Sequence, residues 1–107
     1  MIQVRLEPCC QGYRLWCSGH AAEGSPRENT AVCAAASMLY SLVRGIASAH
    51  GGCLDTSEDR FSAVEFASEN ALEAARIGLT LLQENYPNQI VLQKLPLPPG
   101  TGGSSYR

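Results

Sequence analysis

Two side chains in the 107-residue sequence have the type and the setting for covalent chemistry, Cys33 and His20. The apolar spacing that follows residue 30 predicts a helix, with Cys33 in its first turn. Unpaired amides and the positive dipole end there favour a thiolate over a thiol. On that helix Cys33 lies beside the core stripe, on the edge it shares with Ser37, Tyr40 and Arg44, so it need not be wholly buried. His20 stands between Gly19 and Ala21, and these small neighbours leave its imidazole uncrowded. A thiol and a base of this kind are the parts of a nucleophilic mechanism, with the roughly dozen-residue loop between them free to bring one to the other. Backbone amides of the first helical turn would hold the oxyanion, at about 3 to 4 kcal/mol per donor. Spacing alone leaves two plainer readings open: a cysteine packed in an alanine-rich helix, and a loop histidine that titrates in solvent.

Other chemistries have less support. Five cysteines (Cys9, Cys10, Cys17, Cys33 and Cys53) are an odd number without the spaced framework of a stapled secreted fold, so reduced thiols are expected. Cys9, Cys10, Cys17 and His20 include a C-x-x-H spacing, but neighbours on an extended chain point to opposite sides, unlike the ligands of a zinc knuckle. No metal is expected. The glycines do not join a strand to a helix start as a phosphate cradle does, and the carboxylates are scattered over turns and solvent faces. No cofactor is expected either. His50 has a simple role near a helix end, where it can bond the last carbonyls.

The elements that must position Cys33 and His20 can be read from the periodicities. Ile2, Val4 and Leu6 alternate with polar residues over 2–7, and Tyr13, Leu15 and Cys17 share one face of 13–18, which predicts a hairpin turned at 8–12. Residues 19–29 lack periodicity and predict an exposed, mobile connection. Val32, Ala35, Ala36, Leu39, Leu42, Val43 and Ile46 follow helical spacing, with Asn29 or Thr30 as N-cap and His50-Gly51-Gly52 as stop. A short strand near Cys53-Leu54, a turn at 55–59 and a strand at 60–67 come next. Then come a helix at 71–85, ended by Pro87, and a last strand at 89–95. The fold class is α+β, in the order ββαββαβ: two helices over one face of a mostly antiparallel sheet of four to five strands. Residues 1–95 are expected to form one domain, and the Pro/Gly/Ser-rich 96–107 a disordered tail.

Composition narrows the function. A chain that is 45% hydrophobic supports one core, and 8 Lys+Arg against 10 Asp+Glu give a net charge of −2 with no basic patch. Direct binding to nucleic acid is not expected. The longest apolar run, 31–36, is far short of the roughly 20 residues of a membrane span, and the alternating start with Glu7 does not read as a signal peptide. A cytoplasmic protein without membrane contact is expected.

Three stretches carry a resemblance. Ser18-Gly19-His20-Ala21 after a hairpin, Val32-Cys33-Ala34-Ala35-Ala36-Ser37 opening a helix, and Leu82-Gln83-Glu84-Asn85-Tyr86-Pro87-Asn88-Gln89-Ile90 resemble the ribosomal-processing cysteine proteases, the Prp family. The resemblance runs to about residue 95. It implies a cytoplasmic homodimeric endopeptidase that removes an N-terminal extension from a large-subunit ribosomal protein during ribosome biogenesis. Cys33 would be the nucleophile and His20 its base, in a site that also takes in Gly19, Ala21, Asn29, Thr30 and Ser37, under a loop that orders over substrate.

The sequence departs from the family in two places. Thr30 stands where members carry Asp, and Pro26-Arg27-Glu28 replaces a Gly-Lys/Arg-Asp run. With that acid missing, Asn29 is expected to orient His20. The homodimer has a second motive, since Ile77, Leu79, Leu81 and Leu82 cover more than one face of the second helix. The alternative reading is a ribosome-associated binding module on the same scaffold, without catalysis.

Overall fold

A computed structural model of the chain describes residues 1–10 and 12–94. Alternation drives the sheet. β1 (Ile2–Cys9) turns Ile2, Val4 and Leu6 inward, and β2 (Gly12–Ser18) pairs with it antiparallel so that Leu6 meets Leu15 and Val4 meets Cys17. α1 (Pro26–Ala49) follows, then β3 (Cys53–Asp55) and β4 (Ser62–Phe66), which pairs with the other side of β2 and sets Val64 against Leu15. α2 (Glu69–Asn85) leads to β5 (Ile90–Lys94), which lies parallel to β1 with Ile90 beside Ile2. The strand order is β3-β4-β2-β1-β5, antiparallel except at the last pair. This is the α+β, ββαββαβ arrangement that the sequence predicts.

One face of the sheet forms the core with the helices. Ile2, Val4, Leu6, Leu15, Val64, Phe66 and Ile90 pack with Val32, Val43 and Ala47 of α1 and with Ala71, Leu72, Ala75 and Leu79 of α2. Each fully buried aliphatic or aromatic side chain contributes roughly 1.5–3 kcal/mol. Where α1 meets α2, a methyl group on Gly78 would run into the Leu39 side chain, so the residue is small because the helices approach closely there. The other face of the sheet is polar. Arg5 lies 3.9 Å over the Trp16 ring, and Arg14 bridges Glu7 and Glu65 at 3.0 and 2.7 Å.

Two boundaries differ most from expectation. β1 runs on through Pro8 to Cys9, which takes up most of the residues expected to turn at 8–12. α1 begins at Pro26, and its N-cap is Ser25 rather than Asn29 or Thr30; Ser25 Oγ accepts from the Glu28 amide at 3.1 Å. Ser-Pro-x-Glu is a capping signature with proline at the first helical position, but the apolar repeat that marks the helix starts only at Val32. The first two turns are polar and exposed except for half-buried Asn29, so hydrophobic spacing could not register them. The tail expected at 96–107 lies outside the described residues. At its full length α1 is long and apolar enough to cross a membrane by composition alone, which the short run 31–36 does not suggest. Its inner stripe is nonetheless part of the core.

Candidate active site

Cys33 lies on α1, two turns after Pro26 rather than in the first turn. The dipole effect fades within one turn of the helix end, and amides this far inside the helix are committed to carbonyls four residues back. Neither activation by the helix start nor an oxyanion hole made of first-turn amides is therefore available. A different donor reaches the sulfur. The Ala21 amide donates to Cys33 Sγ at 3.4 Å.

Local backbone geometry brings Ala21 there. After Ser18, the last β2 residue paired with β1, Gly19 takes φ +86°, where a side chain would be strained and would also collide with the Met1 carbonyl. The chain then folds over the start of β1, where the Met1 ammonium donates to the His20 carbonyl at 2.6 Å and lies 3.6 Å from the Glu23 carboxylate. Ala21 tucks in at 7% exposure, and His20 remains exposed beside it. Residues 19–25 are thus tied down at several points, where the composition predicts a mobile connection.

His20 and Cys33 line the same cleft, of about 430 Å³, which lies between α1, the end of β2 and the turn before β4. Gly19 and Ser37 border it as well, and Ser37 sits one turn after Cys33. Among the described residues no hydrogen bond joins the imidazole to the sulfur. Thr30, one turn before Cys33, donates its hydroxyl to the Pro26 carbonyl at 3.0 Å.

Asn29 does not orient His20. Its Oδ1 accepts from the Gly24 amide at 3.0 Å and from Gln89 Nε2 at 2.8 Å, and its Nδ2 donates to the Gly24 carbonyl at 3.1 Å. Gln89, just before β5, is only 2% exposed and also accepts at Oε1 from the Glu23 amide at 3.1 Å. Sequence reasoning passes over this residue, because a glutamine at a strand start has no chemistry of its own. Tyr40, Phe61 and the Glu58-Asp59-Arg60 turn also line the cleft, and only the helix-edge position of Tyr40 signalled this.

The remaining thiols are dispersed. Cys17 lines the cleft but is largely buried, and burial pushes its thiol up to about 12, so it stays protonated near neutrality. Cys9 and Cys10 sit at the turn end of the β1–β2 hairpin, away from Cys17 and His20 at its other end, and Cys53 is exposed at the start of β3. Among the described residues no three His, Cys, Asp or Glu side chains converge as metal ligands.

A thiol that accepts an amide N–H, with an imidazole in the same solvent-open cleft, is an arrangement suited to acyl transfer. No protein-family model and no curated protein sequence matches the chain. Solved structures do. The essential ribosomal processing protease Prp from S. aureus, in complex with a substrate peptide, is similar at TM-score 0.67 and 18% identity over 89% of this chain and 100% of that one. The same protease with a covalently linked product peptide gives TM-score 0.68 at 18% identity, with the same coverage. SMU.848 from Streptococcus mutans gives 0.65 at 20% identity, covering 89% of this chain and 94% of that chain.

Proposed function

We propose, from the Prp-like fold that this chain has, that it is a cysteine endopeptidase that removes an N-terminal extension from a large-subunit ribosomal protein. The observation that carries the reading is the cleft that His20 and Cys33 both line, with the Ala21 amide donating to the sulfur. In this mechanism Cys33 Sγ attacks the scissile carbonyl carbon as its proton passes to the His20 imidazole. The C–N bond breaks when the imidazolium returns that proton to the leaving amine. Water, deprotonated by the same imidazole, then splits the thioester and releases a carboxylate. Ser37 and Thr30 flank the sulfur along α1, while Gly19 and Ala21 shape the segment that carries the base. The reading takes the protein as cytoplasmic and homodimeric, with the ribosomal protein's N-terminal segment as its partner.

The test is incubation with the host's own ribosomal protein bearing its extension, followed by intact-mass measurement. Loss of the extension is expected, along with abolition of cleavage by Cys33→Ser at unchanged far-UV circular dichroism. Undiminished cleavage by that variant would remove the nucleophile assignment. A second reading, a binding module without catalysis, is motivated by Thr30, whose hydroxyl is spent on the Pro26 carbonyl where an acid would be available to a histidine. It predicts that the extended protein is bound and left intact.

A further inference from the structure

We infer that Gln89 is a positioning residue for the catalytic pair: its carboxamide fixes the segment that aims the Ala21 amide at Cys33 and carries His20. The inference rests on the reading of Cys33 as nucleophile. Gln89 is itself immobilised at the backbone, where its amide donates to the Tyr86 carbonyl at 3.0 Å and its carbonyl accepts from the Ile2 amide at 2.8 Å. From this post the side chain reaches both the segment that precedes α1 and the first turn of the helix itself. Oε1 accepts from the Glu23 amide at 3.1 Å, and Nε2 donates to Asn29 Oδ1 at 2.8 Å and more weakly to Glu28 Oε1 at 3.4 Å. Asn29 closes the loop on itself through the Gly24 amide and carbonyl.

Each end lies close to one partner of the sulfur contact. Glu23 is two residues beyond Ala21, the donor to the sulfur, and Asn29 is one helical turn before Cys33, which carries it. One buried side chain therefore ties donor and acceptor of the Ala21–Cys33 contact to the same point of the sheet. Both functions of the amide are used, which a carboxylate cannot reproduce: Glu at this position would still accept from Glu23 but would set its charge against Asn29 Oδ1 and the Glu28 carboxylate. Asparagine, one methylene shorter, would reach one end at most.

The experiment is alkylation of Cys33 by iodoacetamide as a function of pH, resolved by peptide mass spectrometry so that the other four thiols do not contribute. It is carried out on the full chain and on Gln89→Ala, Gln89→Glu and Asn29→Ala. Loss of the amide donor is expected to slow alkylation of Cys33 roughly tenfold at neutral pH. Asn29→Ala removes the link from the helix side and is expected to slow alkylation in the same way even if Gln89→Ala does not fold. The double variant is expected to add little to either single one.

Superimposable pH profiles for wild type and the folded variants would overturn the inference, as would fully additive effects. Because alkylation reads the thiol and not peptide cleavage, the two readings fail separately. A wild type that never cleaves peptide but whose Cys33 alkylation depends on Gln89 sinks the protease reading alone. An active protease whose profile ignores Gln89 sinks this one alone.

Discussion

Two thiols share the cleft, and burial separates them. Cys17, with its pKa raised to about 12, is expected to remain unlabelled by iodoacetamide at pH 8 in the folded protein, while exposed Cys10 and Cys53 are modified. The same burial has a consequence for stability. A thiol held protonated in the fold stabilises it fully below the ordinary thiol range, near 9.0, and that contribution is lost as pH rises toward about 12. Melting temperature is therefore expected to fall over this interval, and Cys17→Val should fall less steeply than wild type in a series of thermal scans. His20→Ala is expected to lower cleavage by roughly 10²- to 10⁴-fold and leave Cys17 unlabelled, a result that separates loss of the base from loss of the fold. The two side chains that share the cleft, His20 and Cys33, were singled out from the sequence, but the donor that serves the sulfur was not. Ala21 acts through its backbone amide, and its partner and the support from Gln89 both come from contacts distant in sequence.

At the scale of elements, hydrophobic spacing found every helix and strand and misplaced those ends where no apolar residue marks them. The start of α1 depends on a cap instead. Ser25→Ala is expected to cost about 1 kcal/mol in a denaturant titration and to loosen the turn that holds Asn29. Pro8 was expected to open the hairpin turn. Among the described residues, however, β5 pairs with β1 only as far as Leu6, and Pro8 lies beyond that ladder, where a missing N–H is tolerated. Between the helices, Gly78→Val would press two methyl groups into Leu39, and a destabilisation of about 1–3 kcal/mol is expected by urea unfolding.

For the molecule as a whole, the surplus apolar residues divide cleanly. Leu79 is buried and Leu82 packs against the core, while Ile77 and Leu81 on α2 are 55% and 53% exposed and Met38 and Leu42 on α1 are 70% and 54% exposed. The sequence showed that α2 has more apolar surface than one face can use; it could not show which residues the sheet would take, or that α1 adds two of its own. If the protein is the homodimer of the proposed reading, sedimentation at micromolar concentration should give a dimer, and Leu42→Glu combined with Ile77→Glu a folded monomer. A monomeric wild type would count against it.

The pairing of β1 with β5 also bears on when the site comes into being. Ile2 lies beside Ile90, and the post that secures the sulfur's donor stands just before that final rung. A nascent chain emerging from the ribosome therefore carries its thiol and its imidazole before it can arrange them, since the element that completes the clasp follows both in the chain. On the proposed reading, thiol and imidazole would be held in register only once β5 has been made and paired with β1.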